Sequence, residues 1–138
     1  MQQKYYLDAC IWRDYFENRS DKFRPLGEWA LMLIKKIVED ENYFVISDHL
    51  CNELHKNYTQ SELDELLNFI PPSLIIRINL NKPQSLKAFQ IKNKFNIPFN
   101  DALHAVLARD NNAILVTRDK HFFELQEELI IMKPEDLV

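Results

Sequence analysis

Glycine is nearly absent: Gly27 is the sole example in 138 residues. Phosphate-cradling loops need several glycines, because the backbone itself must approach the phosphate, so nucleotide-binding classes built on such loops are excluded. Cysteine is scarce too. Cys10 and Cys51 cannot make a disulfide framework and read as free thiols of a reducing, cytoplasmic compartment. No uncharged apolar run of about 18 residues occurs, so no membrane span is expected. The start, MQQKYYLDAC, lacks the basic-then-apolar layout of a signal peptide and reads as a first buried strand. An overall basic field is also missing, since 17 Lys+Arg stand against 21 Asp+Glu for a formal charge of −4. That disfavours a module binding nucleic acid by phosphate neutralisation alone. It leaves room for an enzyme whose acids are gathered in one metal-filled site.

What is there fits a folded chain. Charged residues make up 28% with both signs interspersed, hydrophobic residues 46%, and the length suits a single domain over 1–138. Short apolar runs alternate with longer helical patterns, without repeats or linkers. Strands are predicted at Lys4–Leu7, Tyr43–Ile46, Leu74–Ile78 and Ala113–Val116, with a last one at Leu129–Met132. Ile11, Trp12, Tyr15 and Phe16 recur at helical spacing, and a second helix follows Pro25 to about Glu39. Ser47 or Asp48 caps a helix through Leu50, Leu54 and Asn57. Ser61, with acids behind it, opens one that Pro71-Pro72 ends. Asn81 and Pro83 begin a helix to roughly Lys94, and Pro98 and Asn100 open the next. This order predicts an α/β/α three-layer fold around a mostly parallel sheet of 4–5 strands. In such sheets the site lies at the carboxyl ends of the strands.

Four carboxylates fall at that edge. Asp8 ends the first predicted strand, and Asp119 lies just past the strand Ala113–Thr117. Glu53 sits early on the helix after the second strand, and Asp101 in the first turn of the helix before Ala113–Val116. Singly, each has a plain alternative: Asp101 a helix-dipole partner, Glu53 a solvated helix residue, Asp119 a turn residue, Asp8 a helix cap. Asp8 is the hardest to dismiss, because a carboxylate among Tyr6, Leu7, Ala9 and Ile11 needs a partner.

Taken in order, strand-Asp, helix-Glu, Pro-Phe-Asn-Asp-Ala-Leu and strand-Thr-Arg-Asp resemble the PIN-domain ribonucleases, VapC-type toxins included. The resemblance runs from Tyr6 to the Lys133-Pro134-Glu135-Asp136 tail, with Asn18–Pro25 as a variant stretch away from the site. It implies a PIN-like fold and places Asp8, Glu53, Asp101 and Asp119 at the family's acidic quartet, as catalytic residues and metal ligands. Thr117 falls at the supporting Thr/Ser position. The implied activity is a divalent-metal-dependent endoribonuclease on single-stranded or structured RNA. The implied setting is the toxin of a toxin–antitoxin pair, a homodimer with an antitoxin partner. An RNA-processing nuclease outside such a system, or a scaffold that kept the fold and lost activity, are the alternatives. Mg²⁺ or Mn²⁺ suits these oxygen donors, activating a water and neutralising the phosphate oxygens.

Neighbouring side chains carry weaker signals. Arg13, Arg118 and Lys120 flank the rim and are candidate RNA-phosphate contacts, with solvated charges or local ion pairs as the alternative. His104 shares a helix face with Asp101 and reads first as a core or rim histidine. His49, Cys51, Glu53 and His55 cluster on one helix but make no CxxC or HExxH motif, so zinc is not expected. Trp12, Tyr15, Phe16 and Trp29 read as core or dimer packing rather than base-stacking platforms. A phospho-accepting receiver domain shares the length and Lys133-Pro134, yet Asp8 is followed by Ala9 and Leu74–Leu80 ends without an acid. An Asp-nucleophile phosphatase needs an Asp where Cys10 stands.

Overall fold

The computed structural model describes residues 2–138. Five strands, β1 (Lys4–Leu7), β2 (Tyr43–Ser47), β3 (Ile75–Ile78), β4 (Ile114–Val116) and β5 (Ile131–Met132), form one sheet in the order β3-β2-β1-β4-β5. Every pairing is parallel, in registers such as Leu7 with Val116 and Ser47 with Ile78. β1 is central and pairs with β2 on one side and β4 on the other. The chain therefore winds outward to β3, crosses back over β1, and continues to β4. That reversal falls between the carboxyl ends of β1 and β4, the place where open parallel sheets hold their ligands.

Both faces of the sheet are buried, as parallel strands require. Strand alternation sends Tyr6, Val45 and Leu115 into one core and Leu7, Phe44, Ile46 and Val116 into the other. The first core is covered by α5 (Lys82–Phe95), α6 (Phe99–Asp110) and the 3-10 segment Lys120–Leu125, which contributes Phe122 and Leu125. The second is covered by α1 (Ala9–Glu17), α2 (Leu26–Glu39), α3 (Asp48–Leu54) and α4 (Gln60–Leu67). The three-layer α/β arrangement matches the expectation, and the sheet is wholly rather than mostly parallel.

Element ends differ where local hydrogen bonds override pattern. α4 is opened by Thr59, not Ser61, because Thr59 Oγ1 accepts the Glu62 N–H while Glu62 Oε1 accepts the Thr59 N–H. α3 stops at Leu54, short of Asn57. Leu74 lies in a 3-10 turn ahead of β3, and Leu129 and Ile130 fall outside β5. Trp12 is buried and Trp29 lies beneath the Arg118 guanidinium, so these aromatics pack as expected.

At Gly27 the helices α1 and α2 come into close backbone contact. α1 ends at Asn18 in the left-handed region (φ 47°), and the Gly27 N–H donates to the Arg19 carbonyl at 2.8 Å. A Cβ on Gly27 would stand 2.6 Å from Asn18 Cα and 2.7 Å from the Asp14 carbonyl oxygen.

Candidate active site

The end of β1 is locked to β4 by the Asp8 N–H, which donates to the Val116 carbonyl at 3.0 Å. Asp8 then turns the chain into α1. Its Oδ1 accepts the Ala9 N–H at 2.7 Å, and its Oδ2 accepts from Thr117 Oγ1 at 3.0 Å and Cys10 Sγ at 3.3 Å. The capping reading of Asp8 therefore holds, but one N–H and two side-chain donors fix a carboxylate that is only 8% exposed. Burial, and after it the Asp8 charge, push the Cys10 thiol well above its ordinary range, so it stays a neutral donor. Thr117 is fully buried and also accepts the Asp119 N–H at 3.1 Å, which couples the placement of Asp119 to Asp8.

Glu53 arrives on α3, whose N-terminus is set by Ser47 Oγ accepting the Leu50 N–H. Its carboxylate Oε1 lies 2.8 Å from His104 Nε2 and 3.4 Å from His49 Nε2. Burial acts to raise the Glu53 pKa, but the hydrogen bond and charge of His104, with His49, outweigh it and leave it lowered. His104 comes from α6, is 1% exposed, and lies 4.0 Å from Asp8 Oδ1. Its Nδ1 meets the Tyr6 hydroxyl at 2.7 Å, and that hydroxyl meets Ser47 Oγ at 2.7 Å. One buried polar chain thus runs from Ser47 to Glu53.

Asp101, in the first turn of α6, and Asp119, capping the segment Lys120–Leu125, form a second group with His121. His121 Nδ1 lies 3.2 Å from Asp119 Oδ1 and 3.5 Å from Asp101 Oδ2. The Asp101 pKa is raised to about 6 by burial, then by the charges of Asp119 and Asp8. Burial is the larger cause, and the like charges beside it add to the preference for the protonated form.

The structure thus places Asp8, Glu53, Asp101 and Asp119 on one end of the sheet, in two linked groups, with Thr117 beneath. Carboxylates are hard oxygen donors suited to divalent ions, but among the described residues the donor atoms within 4.8 Å of one another form two sets, His49–Glu53–His104 and Asp101–Asp119–His121, with Asp8 outside both. The flanking cations part ways. Arg118 is drawn inward: Nε lies 3.3 Å from Asp14 Oδ2, Nη1 2.8 Å from Glu135 Oε1, and the guanidinium covers Trp29. Arg13 pairs with Glu17 at 3.1 Å, whereas Lys120 is exposed at the rim. Sequence reasoning undervalued His49, His104 and His121. The signals were present: His49 stands four residues before Glu53, His104 three after Asp101, and His121 two after Asp119. The buried acid Asp14, held by Arg19 and Arg118, carried no such signal.

A PIN-domain family model matches residues 5–128, and the chain belongs to that family. No curated protein matches it significantly in sequence. Among solved structures, it is similar to VapBC2 from Rickettsia felis bound to a promoter DNA fragment, with TM-score 0.68 and 18% identity. That likeness covers 95% of this chain and 98% of the other. It is also similar to FitAcB from Neisseria gonorrhoeae, with TM-score 0.66 and 16% identity over 96% and 99% of the two chains. A toxin–antitoxin complex from Klebsiella pneumoniae gives TM-score 0.64 and 18% identity over 94% and 97%. At these identities the likeness shows the fold, the PIN-like one that the residue pattern implied.

Proposed function

We propose that this chain is a divalent-metal-dependent endoribonuclease that hydrolyses phosphodiester bonds of RNA, and that it serves as the toxin of a toxin–antitoxin pair. The observation that carries the nuclease reading is that Asp8, Glu53, Asp101 and Asp119 share one end of the sheet, in two groups. These four would hold Mg²⁺ or Mn²⁺. A divalent ion there would polarise the phosphate and lower the pKa of the attacking water.

The protein's own contribution is placement. Thr117, Cys10 and the Ala9 N–H point the Asp8 carboxylate, and His104 points Glu53. Of the three flanking cations, Lys120 is exposed and has no ion pair among the described residues, so it is the candidate to meet an RNA phosphate, whereas Arg13 is held by Glu17. The toxin role is supported by the similarity to a chain of a toxin–antitoxin complex from Klebsiella pneumoniae. It implies a cytoplasmic protein, a homodimer and an antitoxin partner. Among the described residues, no helix is long and apolar enough to cross a membrane.

The test is cleavage of single-stranded RNA by purified protein with Mn²⁺ or Mg²⁺, abolished by chelation. A preparation that binds Mn²⁺ and cleaves no RNA overturns the nuclease reading. Growth arrest on expression, relieved by co-expressing the product of a small adjoining gene, is expected of a toxin. Expression without growth arrest overturns that role and leaves an RNA-processing nuclease.

A further inference from the structure

Of the four histidines, His49, His104 and His121 all lie against the carboxylates, while His55 is exposed. We propose that His49, Glu53 and His104 form a nitrogen-bearing cation subsite, which takes a first-row transition ion in preference to Mg²⁺. This deepens the nuclease reading and rests on its divalent-cation rim.

The geometry suits coordination. The donor atoms of the three residues lie within 4.8 Å of one another, with Glu53 Oε1 at 2.8 Å from His104 Nε2 and 3.4 Å from His49 Nε2. Ligands bonded at about 2.0–2.2 Å in a tetrahedral set stand about 3.3 Å apart, between those two separations. Asp8 Oδ1, 4.0 Å from His104 Nε2, offers an oxygen on the side facing the other acids.

One further observation points to a ligand, and a second is compatible with it. His49 Nε2 is buried and has no hydrogen-bond partner among the described residues. A polar atom so placed is costly unless something satisfies it, and a cation between His49 and Glu53 does so. The chain behind His104 is the second. With Nε2 on a metal, Nδ1 must carry the proton and needs an acceptor. The Tyr6 hydroxyl supplies it and passes its own proton toward Ser47 Oγ. Metal-bound histidines are held in this way by a partner on the other ring nitrogen. Because hydroxyls both donate and accept, Tyr6 satisfies the ring with or without a cation. Imidazole nitrogen favours transition ions, whereas Mg²⁺ prefers oxygen and keeps its waters.

The experiment adds Mn²⁺ or Mg²⁺ alone to the metal-free full chain, followed by calorimetry and pulsed electron paramagnetic resonance. Tighter binding of Mn²⁺ than Mg²⁺, with hyperfine coupling from imidazole nitrogen, is expected. His49→Leu should weaken Mn²⁺ by about 10-fold or more, at least what losing a supporting partner costs a metal site, and should spare Mg²⁺. Its melting temperature should change little, since the Nε2 that is removed makes no hydrogen bond and only the long 3.4 Å contact to Glu53. Bound Mn²⁺ without nitrogen coupling, or a His49→Leu variant with wild-type Mn²⁺ affinity, overturns the subsite and leaves the nuclease reading intact. Nitrogen coupling without RNA cleavage does the reverse. The spectrum of the wild-type chain decides the matter even if the variant fails to fold.

Discussion

His104 Nε2 lies 2.8 Å from Glu53 Oε1, although the two residues are 51 positions apart in the chain. α6 and α3 meet at this contact, above the carboxyl end of the sheet. The imidazole is buried and backed by Tyr6, so its ring cannot swing away from Glu53 without leaving the Tyr6 hydroxyl. Tyr6→Phe removes only that hydroxyl. Metal affinity should fall by about 10–100-fold, the usual effect of losing such a partner. Stability should fall by about 1–3 kcal/mol, because buried polar groups lose their bond. Lowered stability with unchanged metal affinity would reduce Tyr6 to a packing residue.

Asp8→Asn and Asp101→Asn keep shape and remove a charge, although in Asp8→Asn one of the two accepting oxygens becomes an NH2 donor and gives up either the Ala9 bond or those from Thr117 and Cys10. RNA cleavage should fall by orders of magnitude in both while the fold persists. Asp101→Asn should raise the metal-free melting temperature near neutral pH, since it relieves repulsion from Asp119 and Asp8. Cleavage at the wild-type rate in saturating Mn²⁺ would show that these acids do not hold the ion.

The pH dependence follows from the same group. The folded Asp101 titrates at about 6, against 3.8 for an ordinary Asp. Between these values the folded chain keeps a proton that the unfolded chain has lost, so stability is lost as pH rises through that window. Melting curves in chelator from pH 4 to 7 should show this contribution as a downward slope absent from Asp101→Asn. Metal affinity should move the other way, weakening as pH falls through about 6, because the proton competes with the cation. An affinity that is flat across that range would remove Asp101 from the ligand set.

Most of the fold was legible because its signals are local. β-branched and aromatic runs marked the strands, and Pro83 and Pro98 marked helix starts within a residue or two. Asp8 and Glu53 were legible through their positions relative to strand ends. His104 was legible only as a neighbour of Asp101 on one helix face; its contact with Glu53 was not, because Leu-His-Ala within an apolar helix reads as core, and it is core: the ring is buried. Only the tertiary packing of α6 on α3 turns its edge toward Glu53. Likewise, Asp14 looks like any helix acid until α2 and the β4 end bring Arg118 against it.

Gly27 offers a test of the helical layer. Alanine favours a helix over glycine by about 1 kcal/mol. Here the added Cβ would meet Asn18 Cα and the Asp14 carbonyl at 2.6 and 2.7 Å, backbone atoms that cannot rotate aside. Gly27→Ala should therefore destabilise, by about 1–3 kcal/mol for overpacking, measured by urea unfolding. A more stable variant would mean that α1 and α2 separate at little cost.

The last prediction separates the two basic residues that flank Asp119. Arg118 holds Asp14, whose side chain is 4% exposed, and reaches Glu135 and Trp29 besides. Arg118→Met keeps length over Trp29 and removes the charge, leaving Asp14 to Arg19 alone at 2.9 Å. Breaking a buried pair costs about 3–5 kcal/mol, and the lower end applies because one partner remains. Replacing Asp14 by Leu in the same chain should recover part of the loss, since no buried charge is then left unpaired. Lys120→Ala touches no such pair and should leave stability within about 0.5 kcal/mol. Its effect should appear instead in RNA binding, as lower affinity with a shallower dependence on salt. A melted Arg118→Met beside a stable Lys120→Ala with weakened RNA binding is the expected pair of outcomes. Were Arg118→Met to melt like the wild type and bind RNA more weakly, Arg118 would be the phosphate contact and its ion pairs incidental.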